Sequence, residues 1–536
     1  MPDFVDTAER IVDALLESDP RLASYVGDHR FDDRLPDLSA GAVSERVTML
    51  KEAADALAGI DPDAFGAEEQ VDHAILSARV ERALFELTDV REHEWNPLPH
   101  NPGGLLHALI ARPFAPLDER LTSLGGRLAA IPDSLATARA VLRDIPRVHA
   151  ETAVGQFAGV ARLIQDEVPA LLAEEPGLRG VVEPAAAAAV TALHEFGDWL
   201  RTRLDVPGRD PRLGRRLWEA RLWHTLDTEL PAAEVLALAR RNLADTGAEL
   251  REVAAALLDE PATDDTVRKA LDQLAAQHPD GDTIVGLARL SVDEATAFVR
   301  DHDLLTLLDD PLIIEEMPEF ARGVAVAYCD SPGAFEPVEM PTFYCIAPAP
   351  SEWPAERAES LYREYNDHMV RNLTVHEAMP GHFLQIAHAR RFRGRTRARA
   401  IGGSGPFVEG WAVYAEELMA GLGFGGLPVR LQQLKMQLRT SLNAVLDQLV
   451  HCEDLPEEEA MAMLTGAGFQ EAGEAAGKWR RALLTSTQLS TYFVGYAEIA
   501  AIAAARPFGA TPKAWHDAML AHGSPPPRHL RTLLGV

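Results

Sequence analysis

The stretch Thr374-Val-His-Glu-Ala-Met-Pro-Gly-His-Phe-Leu-Gln385 carries the pattern on which the interpretation of this 536-residue chain depends. A zinc hydrolase helix normally has the spacing His-Glu-x-x-His, because residues four apart share one helix face and the glutamate reaches water at the metal. Here the two histidines, His376 and His382, are six residues apart. Six residues of a regular helix turn through about 600°, which leaves the two imidazoles about 120° out of phase.

The dipeptide Pro380-Gly381 between the histidines suggests how they could still meet. Without it the sequence would read His-Glu-Ala-Met-His, which is the usual zinc motif. Proline cannot donate a backbone hydrogen bond and glycine adopts unusual φ angles, so we expect a kink or bulge there that returns His382 to the metal. In that arrangement His376 and His382 are metal ligands and Glu377 is the general base.

A third ligand is predicted in the helical segment Phe407-Val-Glu-Gly-Trp-Ala-Val-Tyr-Ala-Glu-Glu417. Zinc hydrolases with two histidines often take a glutamate from such a following helix, and Glu409 is our choice. Glu416 is seven residues after Glu409 and therefore on the same face. We expect Glu416 either to accept a hydrogen bond from a ligand imidazole or to be a solvated helix residue.

Three motifs together resemble the domain-of-unknown-function 885 family of bacterial proteins. They are His376-Glu377-(x)2-Pro380-Gly381-His382, Glu409-Gly-Trp-Ala-x-Tyr-x-Glu416 and Gln488-Leu-Ser-Thr-Tyr492-(x)2-Gly495. That family looks like a branch of helical zincins, similar in layout to thimet oligopeptidase, angiotensin-converting enzyme and the Taq-type carboxypeptidases. The segments Asp19–Gly27 and Pro341–Ile346 also match, so the resemblance extends along most of the chain.

The resemblance implies a metal-dependent hydrolase of peptide or amide bonds, with His376, His382 and Glu409 holding Zn²⁺. It also implies that the Tyr492 phenol donates to the oxyanion of a tetrahedral intermediate, and that an edge strand, here Pro341–Ile346, pairs with the substrate backbone. One residue departs from the pattern. Family members commonly have a second histidine directly after the last histidine of the motif, where this chain has Phe383.

Composition excludes several classes of partner and of metal site. The chain has 82 acidic against 51 basic residues and a net charge of −31, so its surface repels phosphate backbones and anionic lipids, and we expect neither nucleic acid nor a membrane as partner. Its three cysteines include no C-x-x-C pair, which excludes a disulfide framework and a cysteine-rich zinc site. No signal-peptide pattern and no apolar run of about 18 residues is present, and we therefore expect a cytoplasmic location.

The hydrophobic periodicity predicts a mainly α protein with two short strands, which form a small β-sheet or hairpin beside the active-site helix. The family resemblance implies a helical zincin-like metallopeptidase fold. We expect an N-terminal helical lobe at residues 1–320 and a metal-bearing portion at residues 321–536, or one continuous domain. Pro/Gly breaks such as Ile131-Pro-Asp-Ser134 are predicted to separate successive helices. The basic run Arg390–Arg399 is predicted as a solvated loop, with substrate attraction or pairing with acidic residues as alternatives.

The function predicted from these observations is zinc-dependent hydrolysis of short peptides or small amide conjugates. Endopeptidase and exopeptidase modes are not distinguished by the sequence, and neither is the oligomeric state. The alternative from another class is a catalytically inactive relative that binds a ligand without metal, and Phe383 is the residue that favours it.

Overall fold

The computed structural model describes residues 3–317, 326–350 and 353–536. Within them the chain is mainly helical with one small three-stranded sheet, which confirms the predicted class. The chain divides into two compact units, each assembled from separate stretches of sequence. Unit one comprises Met1–Pro211, Pro332–Met340 and Gly394–Ile401, and unit two comprises Arg212–Ser331, Pro341–Arg393 and Gly402–Val536. The boundary predicted near residue 320 lies outside the described residues.

Among the described residues of unit one, the regular secondary structure consists of helices joined by loops. Its α-helices are α1 (Phe4–Ser18), α2 (Pro20–Val26), α3 (Ala40–Ala58), α4 (Ala67–Phe85), α5 (Gly103–Ala111), α6 (Leu117–Val141), α7 (Arg147–Glu174), α8 (Arg179–Arg203) and, from the later stretch, α16 (Ala398–Ile401). The break predicted at Ile131–Ser134 is wrong, because Pro132 lies inside α6. Leu128, Ile131 and Leu135 are buried in the core that α6 shares with α8, and this tertiary packing outweighs the hydrogen bond that proline cannot make.

Two later stretches of chain complete unit one. The amide of Phe335 donates to the carbonyl of Val26 at 2.7 Å, which ties the segment Pro332–Met340 to the end of α2. Ala398 and Ile401 are buried in the core formed by α1, α3 and α4. Both stretches therefore pack against the helices of unit one, and the second contributes residues to its core.

Only the first part of the basic run is the exposed loop that we predicted. Arg397 is ion-paired with Glu9 and Asp13, and the Arg399 guanidinium binds the carboxylate of Asp72 with an Nε to Oδ1 distance of 2.8 Å. Burial explains the difference, since Arg399 is only 4% exposed and needs a buried carboxylate. The part of the run that belongs to unit one, from residue 394 onward, pairs with acidic side chains of that unit.

Unit two contains the remaining helices and the sheet. Its α-helices are α9 (Arg215–Leu226), α10 (Ala232–Leu258), α11 (Asp264–Ala275), α12 (Ile284–Asp301), α13 (Ala355–Glu364), α14 (Asp367–Glu377), α15 (His382–Ala389), α17 (Gly405–Gly421), α18 (Gly426–Glu453), α19 (Glu457–Gly466), α20 (Ala472–Leu484), α21 (Ser490–Ala504), α22 (Pro512–Leu520) and α23 (Pro527–Leu534). Helix α10 packs along α18, and α17 packs along α21. A large apolar core joins α12, α14, α15, α17 and α21.

The sheet of unit two consists of β1 (Leu312–Glu316), β2 (Ala327–Asp330) and β3 (Thr342–Ile346) in the order β1-β3-β2. Strand β3 pairs parallel with β1 and antiparallel with β2. The prediction that Pro341–Ile346 is an edge strand is therefore wrong, because both of its edges are hydrogen-bonded and neither is free for a substrate. Strand β1 was not predicted, since its short Leu-Ile-Ile-Glu-Glu sequence follows a long helical region. The predicted strand at residues 323–329 lies partly outside the described residues.

In the residues that the structure describes, no helix combines the length and the apolar character needed to cross a membrane.

Candidate metal centre

The histidine motif lies on two helices separated by a sharp break. The Asn366 side chain caps α14 by accepting from the amides of His368 and Met369, and α14 ends at Glu377. Ala378 leaves the helical conformation, the Met379–Pro380 peptide bond is cis, and α15 begins at His382. The predicted kink is thus a complete break between two helices.

A glycine and a tryptophan of the motifs stabilise this break. The amide of Gly381 donates to the Val375 carbonyl at 2.9 Å, and a Cβ at position 381 would overlap the carbonyl oxygens of Val375 and His376. The Trp411 indole donates to the Pro380 carbonyl at 2.9 Å. Trp411 therefore fastens the break to α17, the helix that also carries Glu409.

Helices α17 and α21 are in backbone contact at Gly410 and Gly495. A Cβ added to either glycine would overlap the backbone of the opposite helix, so only glycine allows this approach. Glu409 directly precedes Gly410, and Tyr492 lies one turn before Gly495. The close crossing thus brings two predicted site residues near each other.

His376, His382 and Glu409 converge on one point. One ligand atom from each lies within 4.8 Å of the others. Glu409 Oε2 is 3.4 Å from His376 Nε2 and 3.5 Å from His382 Nε2. The two imidazole rings have centroids 4.6 Å apart and are inclined at 83°. The helix break thus removes the phase difference that a continuous helix would impose.

The geometry and chemistry of this cluster fit a zinc ion. Ligand atoms bound tetrahedrally to zinc at about 2.0–2.1 Å are about 3.3 Å apart, close to the distances from Glu409 to the two imidazoles. Glu409 Oε2 is buried and has no hydrogen-bond partner in the described part of the chain. A buried carboxylate oxygen without a donor is costly, and a cation at the point of convergence would satisfy it.

Glu416 holds the back of the His376 ring. Its Oε1 lies 2.6 Å from His376 Nδ1, and its Oε2 accepts from Asn372 Nδ2 at 2.6 Å. Glu416 is only 2% exposed, so the solvated alternative is wrong. Because Nδ1 is engaged with a carboxylate, the Nε2 atom of His376 is the one directed at the cluster.

Glu377 lies beside the cluster and is 7% exposed. Burial raises the pKa of its carboxyl group, although His382 and His376 oppose the shift. Behind it, the Tyr344 hydroxyl is 3.1 Å from Thr374 Oγ1, a contact that joins β3 to α14. The sheet therefore lies against the helix that carries Glu377, as predicted.

The charges of the cluster perturb one another strongly. Burial would raise the pKa of Glu409, but His376 and His382 outweigh it and hold that pKa far below its usual value. Burial would lower the pKa of His376, but Glu409 and Glu416 outweigh it and raise that pKa well above its usual value. The three side chains thus form a coupled group of charges, in which His382 is buried and His376 and Glu409 are partly exposed.

Tyr492 lies near this cluster, and a cation accompanies it. The negative charge of Glu409 is the largest cause that raises the pKa of Tyr492. Arg481 Nη2 donates to the Tyr492 hydroxyl at 3.3 Å and to Gln488 Oε1 at 2.8 Å. The sequence prediction did not include Arg481.

Position 383 does not face the cluster. Phe383 is 3% exposed and packs in the apolar core of unit two. The departure from the family pattern at this position therefore removes no donor from the three-residue cluster.

Sequence reasoning also missed Asn372 and the bond made by Trp411. Asn372 precedes His376 by four residues, so the helical spacing alone could have indicated a polar side chain on the same face. Trp411 was predicted only as core, and no local pattern indicates that its indole bonds to the Pro380 carbonyl.

Two solved structures share this fold. "A putative lipoprotein of unknown function" from Shewanella oneidensis is 27% identical, with a TM-score of 0.84 and 100% of both chains covered. The "putative lipoprotein" from Colwellia psychrerythraea is 15% identical, with a TM-score of 0.81 and 99% and 98% of the two chains covered, and this second likeness concerns the fold alone. Comparison with curated proteins finds no match.

These neighbours contradict the predicted cytoplasmic location. Both are described as lipoproteins, a class that is anchored to a membrane by covalent lipid. The prediction rested on the absence of a signal-peptide pattern and of a long apolar run. The absence of a long apolar run does not decide the location, because a lipid anchor needs no spanning helix.

The sequence comparison agrees with the resemblance carried by the three motifs. Residues 20–534 match the family described as "Bacterial protein of unknown function (DUF885)". The match covers nearly the whole chain, and this chain therefore belongs to that family.

Proposed function

We propose that this chain is a zinc-dependent hydrolase of peptide or amide bonds with a helical zincin-like fold. The observation that carries the proposal is the position of Glu409 Oε2, which is buried, lacks a hydrogen-bond donor and lies 3.4 and 3.5 Å from two imidazole nitrogens. His376, His382 and Glu409 would hold the ion. Two nitrogens and one carboxylate oxygen are the donor set of catalytic zinc sites that keep a fourth position open.

Zinc bound at this cluster would polarise the scissile carbonyl and lower the pKa of water. The carboxylate of Glu377, beside His376, accepts the proton of the attacking water and returns it to the leaving nitrogen. Glu416 fixes the orientation of the His376 ring through Nδ1. The Tyr492 hydroxyl donates to the oxygen on which negative charge develops.

Short peptides and small amide conjugates are the proposed substrates. The alternative, a metal-free binding protein, rested on Phe383, and this side chain lies in the apolar core. That placement favours the hydrolase, since the three proposed ligands do not depend on position 383.

Metal analysis of the purified full chain tests the proposal. We expect about one equivalent of tightly bound zinc, lost in His376→Ala and in Glu409→Ala, because each substitution removes one of three ligands. His368→Ala is the matched control, since His368 lies on the same helix and is paired with Gln277. Protein that remains metal-free after incubation with zinc would overturn the proposal.

A further inference from the structure

Helices α18 and α20 carry a cluster of basic side chains that the proposed reaction does not use. Its members are Lys435, Arg439, Lys478 and Arg481, together with the carboxylates Glu364 and Glu474. Lys435 Nζ is 2.8 Å from Glu364 Oε2, and Arg439 is bonded to Glu474. The two carboxylates are thus already engaged by two of the four cations.

The other two cations, Lys478 and Arg481, lie three residues apart on one face of α20. Lys478 is 4% exposed, and within the described residues it makes no hydrogen bond and no ion pair. Arg481 donates to Gln488 and Tyr492, both uncharged, and has no acidic partner in the same part of the chain. Within the described residues, neither Lys478 nor Arg481 is therefore bonded to an acidic side chain.

This arrangement is unfavourable for the chain by itself. Burial lowers the pKa of Lys478 well below its usual value, and the charges of Arg439 and Arg481 lower it further, while Glu474 opposes the shift. The charged form of a buried lysine without an anion is costly, and an anion bound beside it would favour that form again. Acidic side chains are abundant in a protein with a net charge of −31, yet among the described residues none forms a hydrogen bond or an ion pair with Lys478 or Arg481. An anionic ligand that binds between these two side chains would relieve this cost.

The two cations lie next to the proposed catalytic centre. Arg481 contacts the Tyr492 hydroxyl at 3.3 Å, and Tyr492 is close enough to Glu409 for that carboxylate to dominate the shift of its pKa. A guanidinium and an ammonium offer several N–H donors, which suit the two oxygens of a carboxylate. One extended residue spans about 3.3–3.6 Å, so an anion bound here would be only a residue or two from the scissile bond.

We infer that Lys478 and Arg481 bind a free carboxylate of the substrate, next to Tyr492. The inference rests on the proposed hydrolase function and narrows its substrates. They are short peptides cleaved near their C-terminus, or N-acyl amino acids, in which a free carboxylate lies close to the scissile amide.

The test compares free acids with amides on the zinc-loaded full chain. A mixed tripeptide library is supplied with a free C-terminus and with a C-terminal amide, and initial rates are followed by mass spectrometry. We expect the free acids to be cleaved at least about tenfold faster, because a hydrogen bond to a charged group typically has this effect. Lys478→Met and Arg481→Met should bring the ratio of acid to amide rates towards one. Lys269→Met, which removes an exposed cation paired with Glu260, should leave the ratio unchanged.

Equal cleavage of acids and amides by the unmodified protein would overturn the inference and leave the hydrolase proposal intact, and this comparison needs no variant. Cleavage of neither form would count against the hydrolase. In that event, calorimetry with N-acetylglycine and N-acetylglycinamide decides whether the two cations bind a carboxylate. Equal affinity for the two compounds would overturn the inference, and tighter binding of the acid that is lost in Lys478→Met would support it.

Discussion

Asp72 in unit one and Glu409 in unit two are both shielded carboxylates, but their surroundings differ. Asp72 is 1% exposed, and each of its oxygens has a donor at 2.8 Å, one from Arg399 and one from Thr396. Glu409 keeps Oε2 without a donor, although two imidazole nitrogens lie near it. Both oxygens of Asp72 therefore accept hydrogen bonds from the protein. In the described residues Glu409 Oε2 accepts none and instead lies close to two imidazole nitrogens.

This difference distinguishes a carboxylate that stabilises the fold from a carboxylate that can bind a ligand. A buried carboxylate whose two oxygens each accept a hydrogen bond, one of them from a guanidinium, already has its charge compensated within the protein. A carboxylate oxygen that meets only imidazole nitrogens can be satisfied by a cation that binds all three. Burial alone therefore does not identify a binding site. A buried polar atom without a hydrogen-bond partner does.

The largest expected effect is that of Glu377→Gln on turnover. Removal of a general base should lower kcat by about 10²-fold or more while zinc stays bound, because Glu377 is not among the three ligands. Turnover assays and metal analysis on the same sample measure both quantities. Glu356→Gln, an exposed change on α13, is the control. Full activity of Glu377→Gln would show that another group takes the proton.

Asp72→Ala should instead affect stability. It removes the buried carboxylate from Arg399, which keeps its contact with the more exposed Glu68, so we expect the free energy of unfolding to fall by about 1–3 kcal/mol. Urea denaturation followed by circular dichroism measures the loss, with the exposed Asp63→Ala as control. Zinc stoichiometry should stay the same, and a parallel loss of zinc would remove the distinction between the two carboxylates.

Glu416→Gln should weaken zinc binding without abolishing it. The carboxylate that holds His376 Nδ1 is lost, and such a change typically costs about 10- to 100-fold in metal affinity. Competition with a chelator measures the affinity. Glu417→Gln is a suitable control, since Glu417 accepts from Tyr496 and does not contact a proposed ligand. Unchanged affinity in Glu416→Gln would mean that the ring is oriented by other contacts.

The smallest expected effect concerns His29 in unit one. Its ring nitrogens lie 2.7 Å from Asp32 and 2.9 Å from Glu336, and the ring stacks on Phe114, while Asp32 also binds Arg127. Burial would lower the pKa of His29, but the two carboxylates outweigh it and raise that pKa to about 9. The stabilisation of the folded chain by these two ion pairs is complete below about pH 6.5, which is the pKa of histidine in the unfolded chain. It is lost as the pH rises through about 9, the pKa of His29 in the folded chain.

Denaturation midpoints at pH 6.5 and at pH 9.5 test this dependence. The effect should be about 1 kcal/mol, because solvent screens a partly exposed ring. His29→Gln should lack this part of the pH dependence, and a variant with the same profile as the unmodified protein would contradict the assignment.

The sequence was sufficient to predict the mainly helical class and the grouping of His376, His382 and Glu409. These features depend on spacing and on residue type, which are local. The order of the sheet, the bond from Trp411 to Pro380 and the pairing of Arg399 with Asp72 depend on contacts between residues far apart in sequence. Pro132 within α6 is a similar case, since packing against α8 decides a conformation that the local sequence disfavours.

Unit one is assembled from stretches that lie far apart in the sequence, and this affects how it folds during synthesis. Its first stretch ends at Pro211, but the segment that carries Arg399, Ala398 and Ile401 is made about 190 residues later. At about 5–20 residues per second, the early helices wait roughly 10–40 seconds on the ribosome for their last core residues and for the partner of Asp72. A fragment truncated at Pro211 would lack these groups permanently, so we expect it to engage chaperones and to be degraded faster than the full chain.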